Sequence, residues 1–274
     1  MRRLGLFRYH NNLEICKNRL KLFRQINPDV KVYGLFGGKE EDFDDSHSQL
    51  KDYFEGNYCL KGKSNLWKWK NGDLAIRQWY LDYGKHLDFD MLHLLEWDLL
   101  MTCPIEEIYA HIPKDTLGVT GLISLEKVEE EWFWTRDPLQ KENWNKLKDH
   151  VKKKYNFHGP YFASVGPGLM LTKSFLEQYA KDHIPEYCND ELRLPLFASA
   201  LKLEMKDTGF LKKWFSKTEK KYFNCNENNI SLKSLMKQLN KKNGRRVFHP
   251  FREEIDINLI LNHKNVPCHD FKLL

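Results

Sequence analysis

Short apolar runs alternate with helical patterns along the first third of this 274-residue chain. Residues 3–8 and 30–36 are apolar runs that predict strands. Between them, apolar residues recur three and four positions apart, which predicts a helix that Asn11 or Asn12 caps and that ends at Asn27-Pro28. A succession of strand, helix and strand is typical of an α/β fold with a mostly parallel sheet.

The most apolar of these runs ends abruptly in two acids. Residues 90–95 predict a strand covered on both faces, and Glu96-Trp97-Asp98 follows it. Ligands of open α/β sheets gather beyond the carboxyl ends of the strands. On an extended chain, Glu96 and Asp98 would lie about 7 Å apart on one side and could face one divalent cation directly or through its waters, with Trp97 turned into packing. Their oxygens suit Mg²⁺ or Mn²⁺, which can bridge a diphosphate. Alternatively, both are ordinary acids at a solvated strand end.

The remaining pattern extends the α/β succession to about residue 205. We expect a polar acidic loop at 39–48, a turn at Gly166-Pro167-Gly168, a strand at 117–123, and helices at 49–54, 73–83, 143–155, 174–181 and 191–203. The segment from 217 to 246 is rich in Lys and Asn. The chain is therefore predicted to form a catalytic domain over 1–215, with a helical or extended tail over 216–274 packed on it.

Composition limits the classes of protein that remain. The six cysteines stand singly, without metal-ligand spacing, which argues against a disulfide framework and favours a reducing compartment. The apolar run near the N-terminus is too short for a signal peptide core, and no stretch approaches the roughly 20 apolar residues of a membrane helix. We therefore expect a cytoplasmic protein without a membrane segment. Its net charge of +6 favours anionic ligands such as diphosphates, and it is also compatible with nucleic acid or lipid headgroups.

Three motifs in one order carry a family resemblance. The apolar strand with Glu96-Trp97-Asp98 is followed by the glycine-containing segment 164–171 and then by Asn189-Asp190-Glu191-Leu192-Arg193. Over residues 3–205 this order resembles the GT-A fold glycosyltransferases. The resemblance implies a Rossmann-like, mostly parallel sheet flanked by helices, and a DxD-like motif at 96–98 that holds Mn²⁺ or Mg²⁺ and the diphosphate of a nucleotide-sugar donor. Glu96 stands where the commonest form of this motif has Asp.

The resemblance also implies a mechanism and a place for the acceptor. Gly166 and Gly168 would shape the donor-sugar and acceptor site, and Asp190 or Glu191, with a slight preference for Asp190, would be the base of an inverting transfer. The metal would stabilise the charge on the leaving diphosphate. UDP is the expected nucleotide. The alternative for Asp190 and Glu191 is helix capping, since acids are favoured in a first turn. Arg193 either orients this pair or forms a surface salt bridge.

Further donor and metal contacts are implied around this motif. Arg8 and Tyr9 follow the first strand, where a nucleotide would lie. His249, in the aromatic segment 247–252, resembles the C-terminal His that many GT-A enzymes return to the metal, although a lone His is more often structural. His263 and His269 are weaker candidates. A polar helix start resembles the segment that contacts ribose and phosphate, although a solvated helix end explains it equally: Lys70, Asn71, Asp73 and Arg77.

Other classes of protein stay open at this point. Basic runs at 152–154, 241–242 and 245–246 could bind nucleic acid, but they are interspersed with acids and carry no known module. A metal-dependent phosphohydrolase would also use a carboxylate pair, although such sites gather more acids and histidines. A lectin-like module could explain the eight tryptophans, but Trp79, Trp132 and Trp144 are expected in the core.

Overall fold

A seven-stranded sheet lies at the centre of the computed structural model, which describes residues 1–225 and 228–262. Its strands are β1 (Arg3–Tyr9), β2 (Lys31–Phe36), β3 (Gly56–Cys59), β4 (Met91–Glu96), β6 (Leu117–Ser124), β7 (Phe162–Thr172) and β8 (Met205–Asp207). The order is β3-β2-β1-β4-β7-β6-β8, and only β7 opposes the direction of the other six. The expected α/β class, with a mostly parallel sheet flanked by helices, is confirmed.

Helices cover both faces of the sheet, and a second, two-stranded sheet joins β5 (Leu100–Met101) to β9 (Val247–Phe248). The α-helices are α1 (Leu13–Ile26), α2 (Phe43–Leu50), α3 (Asn65–Lys70), α4 (Gly72–Asp82), α5 (Ile105–Ile108), α6 (Phe133–Arg136), α7 (Pro138–Tyr155), α8 (Lys173–Lys181), α9 (Asp190–Ala200), α10 (Leu232–Leu239) and α11 (Ile257–Asn262). Short 3₁₀ helices span Glu40–Asp42, Lys51–Tyr53, Gly84–His86, Leu125–Lys127 and Glu219–Lys221.

The central strands are buried on both faces, as their apolar runs predicted. In β4, Leu92 and Leu94 pack with the core on the side of α4, α8 and α9. Met91 and Leu95 join the core on the side of α1. This two-sided cover removes the central strands from water and leaves their carboxyl ends as the place where polar groups can gather. Trp79, Trp132 and Trp144 are buried, so their expected place in the core is confirmed.

Several element boundaries differ from the sequence expectation. The acidic segment expected as a loop is largely helical, because α2 already begins at Phe43. Helix α7 begins at Pro138 and not near 143, since the Asp137 side chain accepts a hydrogen bond from Gln140 N and proline is favourable in a first turn. Asn12 occupies the N-cap of α1 in a left-handed conformation, but its side chain makes no capping hydrogen bond.

The glycine segment is not a separate turn. Residues 166–168 lie inside the long strand β7, where its pairing with β6 shifts register between Gly118 and Thr120. Gly168 has a φ of +79°, which glycine adopts at little cost. The irregularity bends β7 without ending it.

The described part of the predicted tail is tied to the rest of the chain. A buried cluster joins α1 and β5 to this segment through Leu22, Leu100, Leu235, Phe248 and Phe251. The division of the chain at residue 215 stays a prediction. No helix in the described ranges is long and apolar enough to cross a membrane.

The spacing of the cysteines argued against a disulfide framework, but Cys103 is disulfide-bonded. Cys16, Cys59, Cys188 and Cys225 are free, and Cys268 lies outside the described residues. Single spacing in sequence did not indicate this bond, because chain topology decides which sulfurs meet. Disulfides persist in oxidising compartments, so this bond does not support the expected cytoplasmic location.

A buried ion pair fixes α9 against α4. Arg193 and Asp73 are both almost completely buried, and the guanidinium donates from Nη2 to Oδ1 at 2.5 Å and from Nε to Oδ2 at 2.7 Å. Arg193 also donates to Asn71 Oδ1 and to the carbonyl oxygens of Tyr187 and Cys188. These contacts satisfy the charge within the protein, which is the condition for a buried pair to be tolerated.

We predict that Asp73→Asn destabilises the fold strongly. The substitution leaves the Arg193 charge buried without its counter-charge, which costs about 3–5 kcal/mol when one partner of a buried pair is lost. Urea unfolding would measure the change. Glu142→Gln is the control, since it breaks an exposed pair with Lys146 and should alter the unfolding midpoint little. Equal midpoints for the two variants would contradict a stabilising role for the buried pair.

Candidate active site

A cavity of about 1290 Å³ opens beyond the carboxyl ends of β1, β2 and β4. The ends of these strands supply Arg8, Tyr9, Phe36 and Glu96 to its wall. The start of α9 and a segment of β7 form another part of the wall. This is the edge of the sheet at which the sequence predicted a ligand site.

Three side chains in the cavity wall form a compact donor set. One ligand atom each from Glu96, Asp98 and His249 lies within 4.8 Å of the other two, and all three residues are buried. His249 Nε2 lies 3.4 Å from Asp98 Oδ1 and 3.6 Å from Glu96 Oε2. The structure thus brings together the three residues expected to bind the metal.

The backbone at 96–98 turns and is not extended. Strand β4 ends at Glu96, and Leu99 N donates to Glu96 O at 2.9 Å. The turn lets both carboxylates approach His249. Trp97 packs edge-on against His10 and beneath the Arg252 guanidinium, and its ring also lines the cavity.

Backbone pairing carries His249 to the acids from more than 150 residues away in sequence. Strand β9, which ends just before His249, pairs with β5 just after the acidic motif. Two residues beyond His249, Phe251 N donates to Asp98 O at 2.8 Å. His249 Nδ1 donates to the carbonyl oxygen of Asn224 at 2.6 Å, which leaves Nε2 directed at the carboxylates.

This donor set fits a divalent cation. Two carboxylates supply hard oxygen ligands, and an imidazole whose other nitrogen is held by a carbonyl is a common partner for Mn²⁺ and related ions. Burial lowers the pKa of His249, but Asp98 and Glu96 outweigh it and raise the pKa above its ordinary value. Burial likewise raises the pKa of Asp98, but His249 and Arg252 outweigh it and hold the pKa at about 2. Asp98 therefore stays ionised and attracts positive charge.

Two arginines flank the donor set. Arg252 Nε donates to Asp98 Oδ2 at 3.1 Å, and this side chain was not identified from the sequence although it lies in the aromatic segment 247–252. Arg8 Nη2 donates to Glu96 Oε1. Arg8 Nη1 is buried and has no hydrogen-bond partner within the described part of the chain. Such a group is available to an anionic ligand.

Asp190 and Glu191 lie on the cavity wall in different surroundings. Glu191 accepts hydrogen bonds from Trp134 Nε1 at 3.0 Å, Asn189 Nδ2 at 3.1 Å and Gly166 N at 3.3 Å. Its pKa is nevertheless raised to about 7, because burial outweighs these donors. No hydrogen bond to the Asp190 carboxylate is found among the described residues, and burial together with Asp73 raises its pKa well above the ordinary value.

Gly72 allows Arg8 and Asp190 to approach one another. A Cβ at this position would lie 2.0 Å from Arg8 Nη1 and 2.5 Å from Asp190 Oδ2. A larger residue would displace both groups. The absence of a side chain at the first residue of α4 thus leaves room for both groups.

Not every residue expected to bind the donor lies at the cavity. Lys70, Tyr9, Trp97 and Gly166 line it, together with Arg8 and Glu96. Four others face the protein interior for specific reasons. Asn71 and Asp73 accept from buried Arg193, Arg77 donates to the carbonyl oxygens of Tyr179, Ala180 and Asp182, and Gly168 packs against Phe210.

Arg193 forms neither a surface salt bridge nor a hydrogen bond to the Asp190 or Glu191 side chains in the described structure.

The cavity wall also contains a lysine that was not predicted from the sequence. Lys68 is 4% exposed, lines the cavity and donates to Gly38 O at 2.7 Å. Nothing in the local pattern distinguishes Lys68 from the exposed lysines near it. His263 and His269 lie outside the described residues.

Similar architecture is found in solved glycosyltransferase structures. The galactosyltransferase LgtC, in complex with donor and acceptor sugar analogs, is 13% identical over 74% of this chain and 72% of its own, with a TM-score of 0.41. Mouse xyloside xylosyltransferase 1, apo form, is 12% identical over 82% and 94%, with a TM-score of 0.37. The mannosyltransferase PcManGT from Pyrobaculum calidifontis, in complex with GDP-Man and Mn²⁺, is 9% identical over 75% and 54%, with a TM-score of 0.40.

The sequence matches no protein-family profile and no curated protein. Identities of 9–13% and TM-scores near 0.4 describe a general likeness of architecture. The assignment of a function therefore rests on the geometry of the site.

We predict that Mn²⁺ binding releases a proton from His249. The raised pKa favours the protonated imidazole in the metal-free protein, and a cation at Nε2 displaces that proton. Affinity should fall about tenfold per pH unit below this pKa, because one proton competes with the metal. Calorimetry in buffers of different ionisation enthalpy measures the proton release. His249→Asn should abolish it and weaken binding, whereas the exposed His158→Asn should change neither; unchanged release in His249→Asn would exclude this residue.

Proposed function

We propose that this chain is a metal-dependent glycosyltransferase that moves a sugar from a nucleoside-diphosphate sugar, with UDP as nucleotide, to an acceptor hydroxyl. The observation that carries the proposal is the convergence of Glu96, Asp98 and His249 in the wall of a large cavity at the carboxyl edge of the sheet. Mn²⁺ or Mg²⁺ fits this donor set. When bound, the cation neutralises charge that develops on the leaving diphosphate.

The surroundings of the donor set suit a nucleoside diphosphate. Arg8 and Arg252 add positive charge beside the acids, and Arg8 Nη1 has a donor to offer. Beyond them, Tyr9, Gly37 and the buried Lys68 line the part of the cavity between the ends of β1 and β2. The Lys68 ammonium has three N–H groups and uses one on Gly38 O, so it can also donate to ligand oxygens. We assign the nucleoside to this part and the diphosphate to the arginines and metal.

The acceptor base in this proposal is Asp190, with Glu191 as the second candidate. Asp190 lines the cavity without a hydrogen-bond donor of its own among the described residues, so it is available to an acceptor hydroxyl. Its raised pKa makes it a stronger base once ionised, and Arg8 and Arg193 favour the ionised form. Glu191 is held by three donors and suits a positioning role as well. An inverting displacement follows from a base at this place.

Two competing functions have less support. The basic run at 245–246 is engaged within the protein, because Arg245 pairs with Glu219 and buried Arg246 donates to Gln238 O. This arrangement does not favour a nucleic-acid surface there. A phosphohydrolase would use the same metal ligands, but such sites usually gather more acids and histidines around the cation than the three found among the described residues. The cavity is also large enough for a donor and an acceptor together.

We predict that one nucleotide stabilises the protein only when Mn²⁺ is present. A ligand at a hundredfold excess over its Kd stabilises the folded state by about 2.7 kcal/mol, or roughly 5 °C in Tm for a chain of this size. A thermal-shift panel of UDP, GDP and CMP, each with and without Mn²⁺, measures this, and UDP is the expected responder.

Asp98→Asn should abolish the metal-dependent shift, because it removes one anionic ligand at nearly constant volume. Glu219→Gln is a matched control, since both side chains are 8% exposed and each is bonded to an arginine, but Glu219 does not line the cavity. An unchanged UDP and Mn²⁺ response in Asp98→Asn would remove this residue from the site.

We predict that Asp190→Asn retains the UDP and Mn²⁺ shift and loses transfer by about 10²–10⁴-fold, the contribution of a positioned base. Glu191→Gln is tested in parallel. If Glu191 is the base, its pKa of about 7 requires kcat/KM to rise with pH to a plateau above neutrality, and the variant should lose this limb. Full activity in both variants would refute a base at this position. Product stereochemistry, read by NMR, tests inversion.

A further inference from the structure

Several large apolar side chains that remain exposed line the cavity. Nine large apolar residues are exposed in the described parts of the chain, and four of them line the cavity: Leu66, Trp69, Phe133 and Phe215. Scattered exposed apolar residues are normal, but a contiguous group beside a polar cavity marks a binding surface. These side chains therefore need an explanation beyond core packing.

Two of these residues and their neighbour Trp134 form a cluster of aromatic rings, which we name the aromatic rim: Trp69, Phe133 and Trp134. The ring centroids of Trp69 and Trp134 lie 6.0 Å apart, and those of Phe133 and Trp134 lie 5.1 Å apart at a near-perpendicular angle. Trp69 is 63% exposed and Phe133 is 52% exposed. Helices α3 and α6 each contribute to the rim, so two separate elements hold rings at one place.

The aromatic rim is bonded directly to Glu191, one of the two candidate bases. Trp134 Nε1 donates to Glu191 Oε2 at 3.0 Å, so one side chain separates the exposed rings from the carboxylate pair. The cation site lies on another wall of the same cavity. A molecule resting on the rim would therefore lie beside the side chain that holds Glu191, the sequence neighbour of Asp190.

Polar groups accompany the rings. Asn65 and Lys70 stand in α3 beside Leu66 and Trp69, and all four line the cavity. The face of an aromatic ring carries negative potential, which attracts the weakly positive C–H groups on one face of a pyranose. The hydroxyl edge of the same sugar ring requires hydrogen-bonding partners of the kind that Asn65 and Lys70 offer. A lipid chain has no groups that would form hydrogen bonds with these polar side chains.

We propose that the aromatic rim is the acceptor subsite and that the acceptor is a saccharide, with a pyranose ring stacked on Trp69 and a hydroxyl directed at Asp190 or Glu191. This inference rests on the proposed function and names its acceptor class. Trp69 contacts the acceptor, and Trp134 positions Glu191 as well as the sugar.

Saturation-transfer NMR with a panel of methyl pyranosides, in the presence of UDP and Mg²⁺, tests the proposal. The wild-type protein should give transfer to the ring protons of at least one pyranoside. Trp69→Ala should weaken that binding at least about tenfold, because a stacked aromatic face is lost. Trp69→Phe, which keeps a ring, should recover part of it. Leu139→Ala is the control, since Leu139 is 62% exposed but does not line the cavity, and it should bind like the wild type.

The metal-dependent UDP shift is measured on every variant, so the two proposals fail separately. Loss of that shift in the wild-type protein contradicts the proposed function. A retained shift with no pyranoside bound, or with equal pyranoside binding by wild type and Trp69→Ala, overturns the acceptor subsite. Binding of an n-octyl chain at the rim in place of every pyranoside would overturn it in favour of an apolar acceptor.

Discussion

The site depends on the antiparallel pairing of two very short strands. Strand β5 follows the acidic motif and β9 precedes His249, and each has two residues. Two-residue strands are weak alone, so burial must support them. Leu100, Phe248 and Phe251 are completely buried in the cluster shared with α1 and provide that support. Without this pairing, Glu96 and Asp98 would remain two buried carboxylates with no imidazole opposite them.

The acids on two sides of the cavity have pKa values that are shifted in opposite directions. At the acidic motif, His249 and Arg252 keep Asp98 ionised at low pH. On the far wall, burial raises the pKa of Asp190 and Glu191, so these acids bind protons more readily. Acids whose surroundings separate their pKa values can serve different roles in one reaction. Arg8 stands between the walls, bonded to Glu96 and close to Asp190 at Gly72, and links the two electrostatically.

Sequence patterns predicted those features of the molecule that depend on residues close together in sequence. The apolar run of β4 and the acids at its end could be predicted because a strand buried on both faces has a recognisable pattern of consecutive apolar residues. The direction in which the polar side chains of a helix start point has no such local pattern. Asp73 and Arg77 face the interior because Arg193 and the carbonyl groups at the end of α8 lie there, more than 100 residues away in sequence. Arg252, Lys68 and the disulfide at Cys103 were missed for the same reason.

Glu96 and Asp98 come together for a different geometrical reason than the one expected. Alternate residues of an extended strand stand about 7 Å apart, which is wide for two ligands of a single ion. Here the chain leaves the strand at Glu96 and turns, with Leu99 N bonded to Glu96 O, so that ligand atoms of both acids and His249 lie within 4.8 Å. Trp97 is held on the turn by His10 and Arg252. The spacing of the motif therefore matters less than the turn that closes it, and an E-x-D triplet within a continuing strand would not form this site.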